Sequence, residues 1–486
     1  MVDTDVPKTS ISKLADFVGE TVKLSGWLYN KRSKGKLHFV QLRDGSGIAQ
    51  CVVLKNDVEE SLFEAIGAAG QESSLVLVGE VKADERAPGG FEVKVSGGEV
   101  LQSADGYPIT PKEHGADFLL SRRHLWLRSR RQWAILRIRD AVMMGLRRFF
   151  EDRDFVCVDS PMFTPNACEG TSTLFSVDYF ERQAFLTQSG QLYAEASAMA
   201  HGKVYTLGPT FRAEKSKTRR HLTEFWMLEP EVAYAELEDV LELAEDMLVA
   251  AVQYVLKKRR PELEILERDI SKLEAIQKPF PRMTYAEAAK ILLEHPDSDF
   301  VDGDDLGAAD ETILSNLNDR PLMITHYPAS VKAFYMKRDP NEPDKCLCVD
   351  VIGTEGMGEL IGGSQREDDL DLLLERIEEH DLPKEAFEWY LDLRRYGSVP
   401  TAASALGWSA PLRGSRASST CASAFPIRAR SIAWSPDSGF APSMQRAAHR
   451  RIGARPFASG APGRGESPFF VAGQGKSCCS MAKSGA

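Results

Sequence analysis

The segment from Phe211 to Glu231, FRAEKSKTRRHLTEFWMLEPE, carries side chains suited to binding a nucleoside triphosphate. Arg212 can contact a phosphate through two donors at once, because a guanidinium presents a rigid fork. The cations of the following loop can meet the outer phosphates, and the ring of Phe225 can stack on a base. Taken alone, a run this charged is more often a solvated turn between two strands. The order of the residues, an Arg-x-Glu, a basic loop and a Glu-Phe, favours a phosphate clamp.

A second chemical signal lies downstream, in the segment CLCVDVIGTEGMGELIGGSQRE over residues 346–367. The Gly-Gly-Ser that follows Glu359 allows a close backbone approach, and Glu359 places a carboxylate beside it. Carboxylates next to triphosphate oxygens commonly hold Mg²⁺. A Glu-x-x-Gly-Gly by itself is a weak indication of a metal site, so this interpretation depends on the clamp upstream.

The elements that must position these groups are of two kinds. Short alternating segments separated by glycine turns, from about Val22 to Gln102, predict a small antiparallel β-barrel. Apolar residues from Ile135 to Phe149 recur at helical spacing and predict a helix with one buried face, followed by a short strand ending at Pro161. A helical, acidic insertion from about Leu237 to Asp319 separates the clamp from the glycine-rich segment.

Length and composition predict an enzyme of more than one domain, since 486 residues at roughly 150 per domain give two to four units. No apolar run approaches the roughly 18 residues that a membrane span needs, and no basic-then-apolar leader opens the chain. We therefore expect a cytoplasmic protein with no membrane partner. The net charge of −11 does not exclude RNA binding, because an acidic protein can carry a local basic face.

The clamp resembles motif 2 of the class II aminoacyl-tRNA synthetases, and its RHLTEFWMLEPE form is similar to the asparaginyl enzymes in particular. The resemblance covers roughly residues 15–400 and implies an α+β fold, with an N-terminal OB-fold barrel followed by a class II antiparallel-sheet catalytic domain. The implied domains are an OB-fold anticodon-binding domain at 1–105, a connector at 106–131, a catalytic domain at 132–400 and an aberrant tail at 401–486. The helix and strand before Pro161 resemble motif 1, the dimer element of the family, which implies a homodimer.

The same resemblance assigns roles within the clamp. Arg212 and Glu214 would be catalytic, with Glu214 facing the adenine amino group and the tRNA end. Arg220 and His221 would lie along the outer phosphates of ATP, and Phe225 would lie against adenine. The clamp residues would thus bind the nucleotide and neutralise its charge.

The glycine-rich segment resembles the strand of the family that holds magnesium and the adenylate. The resemblance implies Mg²⁺ as a cofactor beside ATP, with Glu359 as a ligand. It extends to Asp350 less directly, because the spacing between the two carboxylates is about one residue longer than the family pattern.

Substrate choice rests on a few positions that the resemblance identifies. The related aspartyl enzymes carry a lysine for the substrate carboxylate where this chain has Ala194. Glu229 would accept from the amide N–H of asparagine, and Arg366 would donate to its amide oxygen, which together suit an amide and disfavour a carboxylate. Glu169 and Gln191 would hold the α-amino group. The implied amino acid is asparagine.

The predicted barrel carries a pattern similar to the anticodon-binding domain of the aspartyl and asparaginyl enzymes, namely GW…NKR…FVQLRDGSG…Q. By that match Phe39 would stack on an anticodon base, Gln50 would read one, and Arg43 would lie alongside. For an arbitrary small barrel, core packing of Phe39 would be the simpler interpretation. The implied nucleic-acid partner is tRNA(Asn).

The resemblance stops at Pro400, where the family continues into motif 3, a Gly-x-Gly-x-Gly-x-x-Arg turn whose arginine grips the outer phosphate. Codons for Thr401 to Gly414 can be chosen so that one added base regroups them as H-R-G-F-G-L-G-L-E-R-T-V-A-W, which is motif 3. We therefore interpret residues 401–486 as the product of a one-base deletion near codon 400, in the gene or in its sequencing. A low-complexity tail of this composition is predicted to be disordered and to leave the catalytic sheet open.

The resemblance as a whole implies an enzyme that ligates asparagine to tRNA, with its activity impaired by the loss of motif 3. Asparagine would react with ATP to give an adenylate, and the terminal ribose hydroxyl of tRNA(Asn) would then take the amino acid. Three alternatives remain at this point. They are a non-discriminating aspartyl-tRNA synthetase, a non-catalytic tRNA-binding paralogue, and a small-molecule asparagine synthetase, which would lack the barrel.

Overall fold

The computed structural model describes residues 6–165, 168, 174–213 and 223–408. The chain divides into two compact units, Met1–Ala433 and Trp434–Ala486, and all described residues lie in the first. Within the described part, none of the helices is long and apolar enough to cross a membrane.

The N-terminal part is a closed barrel, as the alternating segments predicted, although one of its pairs, between the third and fifth strands, is parallel rather than antiparallel. Its elements are β1 (Thr21–Lys34), β2 (Leu37–Arg43), β3 (Ile48–Leu54), α1 (Glu60–Ala68), β4 (Ser74–Ala83) and β5 (Phe91–Gln102). The strands follow the order β1-β2-β3-β5-β4 around the barrel. On β2 and β3 buried residues alternate with partly exposed ones, because successive side chains of a strand point to opposite faces. The outward faces are therefore available for binding.

The connector and the first long helix follow the barrel. They comprise α2 (Ala116–Ser121), α3 (Arg123–Trp126) and α4 (Arg130–Glu151). Ser129 begins α4 as its N-cap, since its side chain accepts a hydrogen bond from the backbone N–H of Gln132. The predicted apolar stripe is buried along α4, as at Ile138 and Val142. The helix prediction is confirmed, and the short strand that follows spans Val156–Cys157 (β6).

An eight-stranded sheet with a small three-stranded sheet forms the rest of the fold. The remaining elements are β7 (Phe163–Thr164), β8 (Ser176–Tyr179), β9 (Arg182–Leu186), α5 (Gln191–His201), β10 (Lys203–Phe211), β11 (Glu224–Ala233), α6 (Leu237–Ile265), α7 (Ile270–Glu274), β12 (Arg282–Thr284), α8 (Tyr285–Glu294), α9 (Ala308–Ser315), β13 (Leu322–Thr325), β14 (Cys348–Gly353), β15 (Gly358–Gln365), α10 (Leu370–Glu379), α11 (Glu388–Arg395) and β16 (Thr401–Trp408). The large sheet has the order β12-β13-β14-β15-β16-β11-β10-β6, and the small one has the order β7-β9-β8. All pairs in the large sheet are antiparallel except β12/β13 and β10/β6 at its two edges.

One face of the large sheet is covered by α4 and α6, and the other carries the pocket described below. Leu406 pairs in register with Leu228 on one side and Ile361 on the other. All three side chains belong to the main apolar core together with residues of the two helices. Because strand side chains alternate, the neighbouring positions of β11, β15 and β16 point away from this core.

The strand β16 corrects one expectation about the tail. We expected the break at Pro400 to leave the sheet open, but residues 401–408 form a strand between β11 and β15. The physical reason is size: Thr401, Ala402, Ala403 and Ser404 are small enough to be buried on both faces, each at most 2% exposed. Residues 409–486 of the expected tail lie outside the described part of the chain.

Candidate functional site

A pocket of about 590 Å³ opens on the sheet face opposite α4 and α6. Its floor is formed by residues of β11, β15 and β16, including Met227, Gly362, Ala405 and Gly407. These positions carry small side chains or none on β15 and β16, so a flat ligand can approach the backbone of the sheet closely. The pocket is large enough for a small-molecule substrate.

Two residues of the predicted clamp line this pocket together. Arg212 follows the end of β10, and Phe225 lies near the start of β11. The guanidinium carbon of Arg212 lies 5.5 Å from the ring centroid of Phe225. The Arg212 Nη1 group also donates to the backbone carbonyl of Gln188, which fixes its direction. Three other predicted clamp residues, Glu214, Arg220 and His221, lie outside the described residues.

Asp350 on β14 and Glu359 on β15 lie on the same face of the sheet because of a β-bulge. Asp350 pairs with Gly362, but one residue further along β14 the register shifts and Ile352 pairs with Glu359. Leu360 is the extra residue, and a shift of one position moves a side chain to the opposite face. Without the bulge, Glu359 would point away from Asp350.

The two carboxylates converge on Gly362. A Cβ atom built at Gly362 would lie 2.9 Å from Glu359 Oε1 and 3.8 Å from Asp350 Oδ1, so glycine is needed to leave the space between them open. Desolvation of the carboxylate within the pocket and the negative charge of Asp350 raise the pKa of Glu359, and the charge of Lys332 opposes them. In the described part of the chain no three His, Cys, Asp or Glu side chains come together as a metal cluster. Two carboxylates nevertheless fit Mg²⁺, which commonly takes its other ligands from water and substrate phosphates.

Lys332 is a pocket residue that the sequence analysis missed. Its Nζ lies 2.7 Å from Asp350 Oδ2 and 3.2 Å from Asp305 Oδ1, and it sits 3.9 Å from the ring centroid of Tyr327. Burial alone would lower the pKa of Lys332, but the charges of Asp350 and Asp305 outweigh burial and raise it. The lysine therefore stays charged and holds the Asp350 carboxylate in place.

Arg366 lies at another wall of the pocket and is held by a second missed residue, Glu231. The guanidinium donates to both carboxylate oxygens of Glu231, at 3.0 Å from Nε and 2.9 Å from Nη2. Its Nη1 donates to Ser364 Oγ at 3.2 Å, and Tyr335 packs against it at 4.8 Å. Burial would lower the pKa of Arg366, but Glu231 raises it well above its usual value. Arg366 is thus a fixed cation at the pocket.

The structure places Glu229 beneath the turn that precedes α5. Its carboxylate accepts from Ser189 Oγ, from the Gly190 backbone N–H at 2.9 Å and from Thr206 Oγ1 at 3.0 Å. It is buried and is not among the residues that line the pocket. The direct contact with substrate that the sequence analysis assigned to Glu229 therefore stays a prediction, and any such contact would compete with these three bonds.

The other predicted amino-acid residues have mixed outcomes. Gln191 lines the pocket at the start of α5, and its Nε2 donates to Cys168 Sγ at 3.0 Å. Ala194 belongs to a small apolar cluster with Ala198 and Val204. Glu169 lies outside the described residues. The pocket thus contains Gln191 and Arg366 of the four residues predicted to bind the amino acid.

A buried polar network holds β16 against the rest of the domain. Glu195 on α5 pairs with Arg394 on α11 at 2.7 Å, and it accepts hydrogen bonds from Tyr390 and from Thr401 Oγ1, the latter at 3.1 Å. The backbone N–H of Arg366 donates to the Thr401 carbonyl at 2.7 Å. The first residue of β16 is therefore tied to the wall that carries Arg366.

On the barrel, Phe39 and Gln50 occupy outward positions of the neighbouring strands β2 and β3. Arg32 lies 5.0 Å from the ring centroid of Phe39, and Gln50 donates to Glu92 at 3.3 Å. Core packing is therefore not the role of Phe39. Arg43 forms an ion pair with the buried carboxylate of Glu72 at 2.7 Å, and its expected place beside an anticodon base stays a prediction.

Comparison with known proteins gives consistent results for the two halves of the chain. Residues 115–410 match the family of tRNA synthetases class II (D, K and N), and residues 22–101 match the OB-fold nucleic acid binding domain. An asparagine–tRNA ligase of Sorangium cellulosum is 58% identical over 83% of this chain and 93% of its own length, and one of Koribacter versatilis is 54% identical over 82% and 92%. The crystal structure of asparaginyl-tRNA synthetase from Pyrococcus horikoshii complexed with asparaginyl-adenylate is 44% identical, with a TM-score of 0.80 over 84% of this chain and 93% of that one.

Proposed function

The chain belongs to the class II tRNA synthetases of the D, K and N group and, within them, to the asparagine–tRNA ligases, and from this membership we propose how its pocket works. The reaction is the ATP-dependent activation of asparagine and its transfer to tRNA(Asn). One observation carries the assignment of the pocket: Arg212 and Phe225 line it together with the Asp350 and Glu359 carboxylates. A cation, a ring and a carboxylate pair are the groups that a bound nucleoside triphosphate requires.

In the first step the asparagine carboxylate attacks the α-phosphorus of ATP, and pyrophosphate leaves. No side chain has to act as nucleophile, because positioning and charge neutralisation supply the catalysis. Arg212 neutralises the phosphate charge, and Phe225 stacks on adenine. By family resemblance Arg220 and His221 meet the outer phosphates and Glu214 faces the adenine amino group. In the second step a terminal ribose hydroxyl of the tRNA attacks the adenylate carbonyl and AMP leaves.

Asp350 and Glu359 would hold Mg²⁺, which supplies charge neutralisation on the phosphates when it is bound. Lys332 supports this role because it fixes the orientation of Asp350 through a 2.7 Å contact. Gly362 supports it as well, since it leaves room between the two carboxylates.

Asparagine selection rests on charge placed around the amino-acid end of the pocket. Arg366 donates to the amide oxygen, and its direction is set by Glu231. Gln191 and, by resemblance, Glu169 hold the α-amino group. Glu229 contributes a buried negative charge that repels an aspartate carboxylate. It can accept a hydrogen bond from the amide N–H of asparagine if the bond from Ser189 Oγ breaks.

We further propose that the protein is a homodimer and works in the cytoplasm, where translation takes place. Exposed aromatic side chains support the dimer: Phe163, Tyr179 and Phe180 lie in or beside the small sheet and contact one another, with ring centroids 5.9 Å and 5.0 Å apart and Phe180 92% exposed. Such a patch on one side of a molecule is typical of a protein interface. Sedimentation of the purified chain at several concentrations would test the dimer.

We also propose that the deletion near codon 400 impairs the chain, since the arginine of motif 3 is replaced. A guanidinium on a transferring phosphate is worth on the order of 10³-fold in rate, by analogy with arginine fingers. The test is asparagine-dependent ATP–pyrophosphate exchange by the chain and by a version with the reading frame restored. We expect exchange only in the restored version, with asparagine preferred to aspartate. No exchange in either version would contradict the proposed function, whereas equal exchange in both would contradict the impairment.

A further inference from the structure

The barrel and the connector to the catalytic domain share one buried carboxylate, that of Glu72. Its side chain is 3% exposed and lies in the turn between α1 and β4. Arg43 of β2 contacts it from the barrel at 2.7 Å, and Arg128 contacts the same oxygen, Oε2, from the connector at 3.2 Å. We call this group of three residues the Glu72 clasp.

The backbone of Glu72 adopts a conformation that costs free energy. Its φ is +69°, a conformation that glycine adopts more readily than glutamate. The strained turn is fixed from both sides, because the Glu72 N–H donates to the Leu28 carbonyl at 2.7 Å and the Leu28 N–H donates to the Ser73 carbonyl at 2.8 Å. These bonds fix the backbone of Glu72, and the contacts with Arg43 and Arg128 fix its carboxylate.

Both arginines of the clasp are held by aromatic rings as well. Arg43 lies 5.0 Å from the ring centroid of Trp27, and Arg128 lies 5.9 Å from that of Tyr107. Tyr107 is in turn fixed by a hydrogen bond from its hydroxyl to the Leu125 carbonyl at 3.0 Å. The clasp therefore connects the barrel to the connector through the buried carboxylate of Glu72. Loss of that charge would leave both arginines without their partner.

We propose that the Glu72 clasp is a positioning device for tRNA: it fixes the barrel relative to the catalytic domain, and Arg43 serves the clasp rather than an anticodon base. This inference rests on the proposed function, because it assumes that one tRNA contacts both domains. Two sites held rigidly at the matching distance bind one long ligand more tightly than two loosely linked sites. The clasp should therefore matter for a whole tRNA and not for its anticodon arm alone.

The test compares the binding of two RNAs to the full chain: a tRNA(Asn) transcript and a hairpin that carries only its anticodon arm. The main variant is Arg128→Gln, which removes the connector's contact with Glu72 but leaves the Arg43–Glu72 pair of the barrel intact, as well as the bond from Trp133 Nε1 on α4 to the Gly45 carbonyl. We expect the dissociation constant for the transcript to rise about tenfold, equivalent to one lost charged contact, and that for the hairpin to stay within about twofold.

Further variants separate positioning from folding and from base reading. Glu72→Gln should reproduce the effect of Arg128→Gln, and Glu72→Asp should retain part of the wild-type affinity, because aspartate keeps the charge and tolerates a positive φ. Glu60→Gln is the matched control, since Glu60 pairs with Lys55 at 2.7 Å in an exposed contact within the barrel. It should change neither affinity.

The outcomes decide between the alternatives. A loss for the transcript alone supports the clasp, whereas equal losses for both RNAs or no loss for either would overturn it. If Arg43→Gln weakened the hairpin as much as the transcript, Arg43 would be a base contact after all. If the unaltered chain bound neither RNA, the proposed function would fail. Small-angle scattering would then test the clasp alone: a larger radius of gyration in Arg128→Gln than in Glu60→Gln supports it, and equal radii refute it.

Discussion

Ser404 on β16 provides a prediction whose sign follows from the structure. The residue is 2% exposed, it lies on the face of β16 that also carries Leu406, and its hydroxyl has no hydrogen-bond partner among the described residues. A buried hydroxyl without a partner costs about 1–3 kcal/mol. The void left by removing one oxygen atom offsets roughly 0.5 kcal/mol of that gain. Ser404→Ala should therefore stabilise the catalytic domain by about 1 kcal/mol, which raises its melting temperature by about 1–2 °C.

Ser364 supplies a matched control with the opposite sign. It lies on the neighbouring strand β15 and is fully buried, but its hydroxyl accepts from Arg366 Nη1 at 3.2 Å. Ser364→Ala removes the partner of a buried charge and should destabilise the domain by about 1–3 kcal/mol. Thermal melts and urea midpoints of the two variants would be measured beside the unaltered chain. A lower midpoint for Ser404→Ala would refute the reasoning, because it would mean that the hydroxyl is bonded.

Two further predictions concern the barrel. Phe39→Ala should weaken binding of the anticodon hairpin by about 1–3 kcal/mol through one lost stack, while the melting temperature changes little because Phe39 faces outward; a large drop in melting temperature with unchanged binding would make it a packing residue. His38 is buried between Ser33 and Phe63, and burial lowers its pKa, with the nearby Lys31 acting in the same direction and the bond to the Phe63 carbonyl opposing it. Because the pKa of His38 is lower in the folded protein, the protein loses stability as pH falls below the unfolded pKa of about 6.5. Chemical denaturation between pH 7 and pH 5 should therefore show a decline in the free energy of unfolding of the unaltered chain, and a smaller decline in His38→Gln. Equal declines in the two proteins would contradict this assignment.

The sequence predicted functional residues whose placement follows from their neighbours in the chain. It missed residues whose placement depends on pairing with strands or side chains far away in the sequence. Phe39 and Gln50 could be placed on the outer face of a barrel from the alternation along each strand. Glu359 could be identified from its glycine neighbours, but the bulge that turns it toward Asp350 is a property of two paired strands. Glu231 was missed because its partner Arg366 lies 135 residues away.

The tail shows the converse limit of sequence reasoning. Its composition predicted an open sheet, yet residues 401–408 pair with both β11 and β15, and their small side chains fit the buried space between those strands. The intrinsic preference of a segment's residues for β-structure predicts its conformation poorly when the strands on either side of it have unpaired backbone groups. The position of residues 401–408 between two strands therefore determined their structure more than their own preferences did.

That closure has a cellular consequence. In the frame change proposed above, with the codons chosen there, Thr401–Trp408 becomes H-R-G-F-G-L-G-L, and Leu406 and Gly407 are common to both readings. A chain that changes frame at this point therefore keeps the buried contacts of Leu406 and finishes its sheet. With residues 401–408 in the sheet, such a chain could pair with intact subunits in the proposed homodimer and occupy tRNA without charging it. If the proposed frame change and the proposed homodimer both hold, a strain that carried both readings would grow more slowly than one that carried a null allele beside the intact gene, and the change would act as a dominant inhibitor rather than as a silent loss.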